Sequence, residues 1–137
     1  MDLSQFIKEY ENKFVHYDTV YGAQCMDLAR VYVREVLGDQ YQFPPVGIAY
    51  EVWNKYPKAH YDRIKNSPTN FPLPGSIVLW HWAYGGTGHI AVAAEGCDRK
   101  TLLCVTQNDP KNSPTIIKRY KYNWMVLGWL QPIPSNS

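Results

Sequence analysis

The hydrophobic pattern changes once along the chain, and this change restricts the possible folds more than any other feature. Up to about residue 36, apolar residues recur every three or four positions, which is the period of helices with one buried face. From Pro74-Gly75 onward, short apolar runs are separated by turn residues, which is typical of strands that follow one another in an antiparallel sheet. Helices first and strands second predict an α+β domain.

The expected elements follow from these periods and from the turn residues between them. We expect helices over 2–14, over Cys25 to Val36 and over 47–56, and a capping box formed by Asp2 and Gln5. We expect strands over 61–64, 77–82, 88–95, 101–108, 114–122 and 125–131. Residues 1–131 would then form one domain, and residues 132–137 would be a tail or the start of a linker.

Length and charge exclude several classes of protein. A chain of 137 residues is the size of one globular domain. Its net charge of +2 predicts no basic face for nucleic acid, and no apolar run is long enough to span a membrane. The first residues lack the basic and apolar regions of a signal peptide. We therefore expect a monomer with no nucleic-acid partner and no membrane insertion.

Aromatic residues are numerous for this length, with eleven Tyr and five Trp. Such side chains pack well in a core, and on a surface they can form platforms for sugar rings. Composition alone does not choose between these two uses.

Cys25 is predicted to begin a helix, in a position where a thiol can be reactive. Apolar residues recur at helical spacing from Cys25 to Val36, and Gly38 then provides a helix end. Backbone N–H groups at a helix N-terminus are unsatisfied, and together with the helix dipole they favour a thiolate. The alternative is a structural cysteine, because free Cys is among the most buried residue types.

His89 begins a strand whose hairpin with the next strand sets the register of the candidate site. A connection over 96–101 pairs Ala93 with Cys104 and places His89 opposite Asn108. The face of the strand that carries His89 otherwise has small side chains. We therefore expect the helix of Cys25 to pack against that face.

This register predicts a catalytic group of three residues. Cys25, His89 and Asn108 would form the cysteine–histidine–asparagine arrangement of papain-like hydrolases. Cys25 would attack a carbonyl and supply one oxyanion donor from its N–H, His89 would accept the thiol proton, and Asn108 would orient the ring. Taken singly, His89 is more often a satisfied core histidine and Asn108 a turn residue. His81 is the second candidate for the base.

The same register keeps the remaining cysteines apart. Cys97 and Cys104 are not partners in it, so we expect three free thiols. A slip by one residue would present Gln107 and Asp109 in place of Asn108, and a further slip would pair the two cysteines.

Two carboxylates near the cysteine suggest a calcium site. Asp18 precedes Cys25 in a loop over 15–23, and Asp27 follows it in the helix. Carboxylate and carbonyl oxygens are the ligands that Ca²⁺ prefers. The alternative is an Asx-turn at Asp18 and a first-turn helix charge at Asp27. No cofactor is needed for the chemistry, so we expect any Ca²⁺ to be structural.

Several motifs of the chain resemble one known family. The segment Tyr21-Gly22-Ala23-Gln24-Cys25-Met26-Asp27-Leu28 closely resembles the cysteine motif of the CHAP family, the cysteine, histidine-dependent amidohydrolase/peptidases of phage endolysins. Further matches follow in the family's order at Asn66-Ser67-Pro68, Pro74-Gly75-Ser76-Ile77-Val78-Leu79-Trp80, Gly88-His89-Ile90-Ala91-Val92 and Gln107-Asn108. The resemblance implies a papain-like α+β fold, with N-terminal helices packed on a C-terminal antiparallel sheet. It also implies Cys25 as nucleophile, His89 as base and Asn108 as orienting residue.

The chain departs from the family pattern at two positions. Many relatives carry an acidic residue two positions before the asparagine, where this chain has Thr106, which cannot supply a negative charge. Either Asn108 suffices, or Asp109 or another carboxylate compensates, and Gln24 is a further candidate for the site. In relatives that bind Ca²⁺, a further Asp is usual where His16 stands.

The resemblance implies a peptidoglycan hydrolase of the endolysin type, which lyses bacterial cell walls. The bond would be the N-acetylmuramoyl–L-alanine amide or a peptide bond of the stem or cross-bridge. The protein would be made in the host cytoplasm and reach the wall after holin-type release or from a virion, and a wall-binding domain could follow it. Two alternatives stay open: a non-catalytic wall-binding or virion structural module, and a cysteine protease that acts on proteins.

Overall fold

The computed structural model describes residues 1–18 and 24–134 of the chain. Positions 19–23 of the predicted loop before Cys25 and positions 135–137 of the predicted tail lie outside these residues. Two α-helices come first, α1 at Leu3–Tyr10 and α2 at Cys25–Tyr32. A π-helical turn at Val33–Leu37 continues α2, and 3-10 helices follow at Asp39–Tyr41 and Ala49–Trp53. Six strands complete the fold: β1 Tyr61–Lys65, β2 Ile77–Trp80, β3 His89–Ala93, β4 Thr101–Thr106, β5 Ile116–Lys121 and β6 Val126–Pro132.

The helices begin where the capping and periodicity signals predict, but α1 ends early. Asp2 and Gln5 form the expected capping box at the start of α1. The helix stops at Tyr10, because the backbone of Asn12 and Lys13 pairs with Thr115 just before β5. The second helix and its π-helical turn end at Gly38, whose φ of 117° is a backbone conformation that glycine adopts without steric strain.

The six strands form one antiparallel sheet in the order β1-β6-β2-β3-β4-β5. This confirms the α+β class, with N-terminal helices and a C-terminal antiparallel sheet. Register between β3 and β4 also agrees with expectation, since Ala93 lies opposite Cys104 and Val92 opposite Val105. All three cysteines are free, as that register predicts.

The expectation for the packing of α2 is wrong in one respect. The helix packs on the face of β3 that carries Ile90 and Val92, and these residues join the core beneath the helices. Ala91 and Ala93, on the other face, lie under a second core cluster that includes Trp80 and other large aromatic side chains. The small side chains make room for aromatic rings and not for a helix. None of the helices in the described ranges is long and apolar enough to cross a bilayer.

Gly128 provides a test of how closely the sheet is packed. It lies in β6 between β1 and β2, with a φ of 148°, and a Cβ there would collide with the carbonyl oxygen of Ile64. We expect Gly128→Ala to lower the free energy of unfolding by more than about 2 kcal/mol, because both the backbone conformation and the space are unsuitable for a side chain. Urea unfolding measures this loss.

Gly86→Ala is the matched control for this test. Gly86 also has a positive φ, of 86°, but a Cβ there would meet nothing within 4 Å. Backbone strain alone should then lower the free energy of unfolding of Gly86→Ala, by about 1 kcal/mol. If the two variants lose the same free energy of unfolding, the close approach of the Ile64 carbonyl to Gly128 does not limit the side chain there.

Candidate functional site

Cys25 is the first residue of α2, and buried polar contacts hold this end of the helix in place. The Asp27 carboxylate accepts hydrogen bonds from the backbone N–H of Gln24 at 2.9 Å and of Tyr17 at 3.3 Å. Asp27 is buried, so these bonds are shielded from water. The backbone that carries Cys25 is therefore anchored immediately before and after the thiol.

The thiol lies on a broad groove of about 900 Å³ between the start of α2 and the segment that follows the helices. Residues of the helical side include Tyr17, Asp18, Gln24, Cys25, Met26, Asp27 and Arg30. The opposite side is lined by Gln42, Phe43, Pro45, Val46, Gly47, Ile48, Ala49 and Thr87. Arg30 stabilises the opposite side, because its guanidinium donates to the carbonyls of Phe43 and Pro44 at 2.8 and 2.9 Å.

The thiol of Cys25 is protonated in the resting protein. Burial raises its pKa to about 11, and the charge of Asp109 acts in the same direction. Backbone N–H groups of Ile90, Met26 and Cys25 itself lower the pKa, but by less than burial raises it. Desolvation therefore outweighs the helix end, which by itself favours a thiolate. The contact with Ile90 places the sulfur beside β3, next to His89 in sequence.

His89 is a buried imidazole whose hydrogen bonds to described residues are made by Nε2. This atom lies 2.7 Å from Thr106 Oγ1 and 3.2 Å from the Tyr120 hydroxyl. The rings of Trp80, Tyr84 and Tyr120 surround it, with centroid separations of 5.2, 5.7 and 5.9 Å. Burial lowers its pKa to about 4, although the Asp109 carboxylate raises it. The ring is therefore neutral at pH 7.

Asp109 lies behind the histidine and supplies the negative charge that Thr106 lacks. Its Oδ2 accepts hydrogen bonds from the hydroxyls of Tyr120 and Tyr84 at 2.6 and 2.7 Å, and lies 3.7 Å from His89 Nε2. Burial raises its pKa, but the two tyrosine donors and the nearby charge of Lys118 hold it below the usual value. The carboxylate is thus ionised beside the imidazole, which is the compensation considered from the sequence.

Hydroxyl groups link the His89 ring to the Asp109 carboxylate. Tyr120 has a single proton, and its hydroxyl lies within donating distance of both Asp109 Oδ2 at 2.6 Å and Thr106 Oγ1 at 3.1 Å. Nε2 of His89 is engaged by Thr106 Oγ1 at 2.7 Å, and the tautomer of the ring decides which of these two atoms donates.

Asn108 does not take the position predicted for it beside the His89 ring. Strand β4 ends at Thr106, and Asn108 has a φ of 60°, so the pairing with β3 does not extend to it. Its carboxamide instead donates to Gln24 Oε1 at 3.0 Å and accepts from the backbone N–H of Asn112 at 2.7 Å. The structure thus brings Thr106 to the ring, and Asn108 contacts the residue before the nucleophile.

Gln107 joins the end of β4 to the start of α2, a role that the sequence did not predict. Its fully buried carboxamide bonds the backbone of Val15 twice, accepting at 2.6 Å and donating at 2.8 Å. It also donates to the Gln24 carbonyl at 2.8 Å and accepts from the Thr115 hydroxyl. A glutamine directly after an apolar strand was the available signal. Nothing in the sequence indicated that Tyr84 and Tyr120 would reach the histidine.

The described residues do not by themselves form a calcium cage. Both oxygens of the Asp27 carboxylate already accept backbone N–H groups, as in the alternative of a first-turn helix charge. Within 1–18 and 24–134, no three or more His, Cys, Asp or Glu side chains cluster to hold a metal ion. Calcium binding by Asp18 and Asp27 therefore stays a prediction, and we assign no catalytic step to it.

Comparison with known proteins agrees with the fold and with the motif. The family model of the CHAP domain matches residues 14–108, which include the cysteine, the histidine and the asparagine. The wild-type endolysin LysIME-EF1 shares the fold with a TM-score of 0.78 at 24% identity, covering 96% of this chain and 64% of that one. Two structures of Ly7917, one described as holding the hydrolyzing product of MDP, have TM-scores of 0.68 and 0.69 at 17% identity.

The present chain is shorter than these relatives. It covers 60% of each Ly7917 chain, while 93% of its own length is matched, so it spans less than two thirds of each solved relative. No curated protein matches the sequence.

The buried, neutral His89 predicts a pH dependence of stability. Its pKa is lowered from 6.5 to about 4 in the folded protein, so the unfolded chain binds the proton first as the pH falls. Stability is therefore present above pH 6.5 and is lost on acidification towards pH 4. We expect the free energy of unfolding to fall by about 2–3 kcal/mol between pH 7 and 4.5 from this residue.

Urea unfolding of His89→Gln over the same range measures this contribution. The variant should lack that part of the pH dependence, whatever its stability at pH 7. His16→Gln, which changes an exposed histidine, is the control and should keep the dependence of the parent. A pH dependence that is unchanged in His89→Gln would rule out a neutral buried ring.

Proposed function

Because the chain belongs to the CHAP domain family, we propose that it is a peptidoglycan hydrolase that cleaves an amide bond through a cysteine nucleophile. One observation supports this most: the Cys25 thiol lies on an open groove against the backbone of Ile90, and His89, the residue before Ile90, is held neutral with its Nε2 hydrogen-bonded to Thr106. A neutral imidazole can accept a proton from a neutral thiol when a substrate carbonyl is present.

In the proposed reaction, Nδ1 of His89 takes the Cys25 proton while the sulfur attacks the carbonyl carbon. The imidazolium that forms has its Nε2–H directed at Thr106. Thr106 is hydrogen-bonded to the Tyr120 hydroxyl, which also contacts the Asp109 carboxylate. The negative charge of Asp109, 3.7 Å from Nε2, stabilises this cation. The Cys25 N–H is one donor to the oxyanion of the tetrahedral intermediate.

Collapse of the tetrahedral intermediate completes the first half of the reaction. His89 returns its proton to the leaving amine, and a thioester between Cys25 and the acyl group remains. Water then attacks the thioester with His89 again acting as base, which releases the acid and restores the thiol. No step in this sequence requires a metal ion.

The substrate is proposed from the family and from the form of the groove. A groove that is open and lined by both polar and apolar residues can hold an extended peptide on either side of the thiol. The bond is the N-acetylmuramoyl–L-alanine amide or a peptide bond of the stem or cross-bridge. We propose a phage protein that acts on the bacterial wall as a monomer after release, with a wall-binding domain that could follow residue 137.

Digestion of purified peptidoglycan tests this proposal. We expect mass analysis of the released fragments to show new carboxyl and amino termini at one type of amide bond, which identifies the bond. Cys25→Ala should abolish release and keep the thermal unfolding of the parent. Wall binding without any release would favour a non-catalytic module, and cleavage of unrelated proteins would favour a protease.

The path from His89 to Asp109 gives a second test. Tyr120→Phe removes the hydroxyl that joins Thr106 to Asp109, so we expect kcat to fall about tenfold to a hundredfold, the value of a hydrogen bond to a charged group. Asp109→Asn should also lower kcat. It should move the acidic limb of the pH profile to lower pH, because the carboxylate that raises the pKa of His89 is gone.

Tyr61→Phe is the matched control for the tyrosine variant. Tyr61 is also buried, but its hydroxyl bonds the Tyr41 carbonyl in another part of the fold. Its kcat should equal that of the parent. A Tyr120→Phe enzyme as active as this control would contradict the role of the hydroxyl.

Calcium dependence is tested separately from catalysis. We expect chelation to leave kcat unchanged, because no step passes through a metal. Added Ca²⁺ should raise the melting temperature by a few degrees if Asp18 and Asp27 bind it, and Asp18→Ala should remove this effect. Activity that is lost on chelation and restored by Ca²⁺ would contradict a purely structural ion.

A further inference from the structure

Two indole rings on the surface have no part in the proposed mechanism. Trp124 is 70% exposed and Trp82 is 54% exposed. Large aromatic side chains are usually mostly buried, so two exposed rings at one place on a small domain indicate a surface that meets something else.

These two indoles form one surface around His81. The His81 ring lies 4.9 Å from Trp82 and 5.9 Å from Trp124, measured between centroids. His81 is itself held in place, because its Nδ1 accepts from the Ala83 N–H and its backbone N–H donates to Met125. We call Trp82, His81 and Trp124 the aromatic platform.

The turn that carries Trp124 is rigid. Asn66 donates from Nδ2 to the carbonyls of Asn123 and Val126 at 2.8 and 2.9 Å, and the Asn123 side chain accepts from the Met125 N–H. The backbone on both sides of Trp124 is thus held by a network of hydrogen bonds before any ligand arrives. Preordering of this kind lowers the entropy cost of binding.

Beside Trp124 lies a small depression of about 290 Å³ with both polar and apolar walls. Its lining residues are Asn66, Ser67, Pro68, Arg99, Tyr122, Asn123 and Trp124. Carboxamide, hydroxyl and guanidinium groups therefore adjoin an exposed aromatic face. A sugar that carries hydroxyl and acetamido groups has the complementary chemistry, since polar groups bond its edge while its C–H faces lie on the electron-rich indole.

The aromatic platform lies near one end of the groove that contains Cys25. Tyr50 makes the connection: its ring lies 5.8 Å from His81, and its backbone N–H donates to Thr87, which lines the groove. Ala49, the residue before Tyr50, also lines the groove. A ligand that leaves the groove on this side would pass onto the platform.

We propose that the aromatic platform binds the N-acetylated sugar rings of the glycan strand while the peptide attached to that strand lies in the groove. This inference rests on the proposed function, because it takes the glycan strand to be part of the substrate. In this proposal, Trp82 and Trp124 provide affinity for the wall, and the residues around Cys25 carry out the reaction.

The test measures binding in the Cys25→Ala background, so that turnover plays no part. The probes are insoluble walls and a soluble tetramer of N-acetylglucosamine, the latter followed by quenching of tryptophan fluorescence. We expect Trp82→Ala with Trp124→Ala to weaken binding of walls about tenfold, and to abolish the quenching by the tetramer. In the active enzyme the same pair should raise KM for walls with little change in kcat.

Phe14→Ala is the matched control, because Phe14 is 56% exposed but lines neither the groove nor the small depression. It should bind as the parent does. If the double variant unfolds, Trp124→Ala and Trp124→Phe replace it, and only the alanine variant should lose affinity. Equal binding by the platform variants and the control overturns the proposal.

Two further results would also overturn it. One is binding of phosphatidylglycerol vesicles that depends on both tryptophans when the tetramer does not bind, which would make the platform a membrane surface. The other is self-association of the parent that both substitutions abolish, which would make it a contact between copies. Failure of the parent to release fragments from walls, with tetramer binding intact, would instead contradict the proposed function and leave the platform in place.

Discussion

The contact between His89 Nε2 and Thr106 Oγ1 is the interaction on which the site depends. A buried imidazole needs a partner for its polar edge, and in this fold the nearest group on β4 is a neutral hydroxyl. A hydroxyl can both donate and accept hydrogen bonds. The Tyr120 hydroxyl contacts both Thr106 Oγ1 and the Asp109 carboxylate and so connects the two. The His89 ring is therefore connected to a carboxylate through two side chains, those of Thr106 and Tyr120, where a single acidic residue could make the connection.

A buried site has two opposed requirements. Its groups must be uncharged at rest, and the charge that forms in the reaction must be stabilised. Burial keeps the Cys25 thiol and the His89 ring neutral, as their pKa values of about 11 and about 4 indicate. In the proposed reaction, these two groups become charged only when the proton moves from Cys25 to His89, and the Asp109 carboxylate is already in place to stabilise the imidazolium. The thiol and the imidazole are therefore both uncharged before the reaction, and the carboxylate that would stabilise the imidazolium is fixed beforehand by its tyrosine donors.

Gln107 joins the helical layer that carries Cys25 to the sheet that carries His89. The sulfur belongs to the helical layer and the ring to the sheet, and the helix packs on the face of β3 opposite Ala91 and Ala93. A buried carboxamide that binds both Val15 and the Gln24 carbonyl ties the end of β4 to the start of α2. Relative movement of the two layers would break several buried hydrogen bonds at once, so Gln107 opposes such movement.

Local signals in the sequence determined a great deal of this protein. The start of α2 at Cys25, the stop at Gly38, the α+β order and the pairing of Ala93 with Cys104 all follow from short-range patterns, because each depends on residues close together in the chain. Only the tertiary structure decided which group faces His89. Asn108 lies beyond the last paired residue of β4, and Tyr120 comes from the next strand, so neither position is set by the hairpin register. The protonation of Cys25 was likewise decided by burial, which is a property of the packed fold and not of a helix end alone.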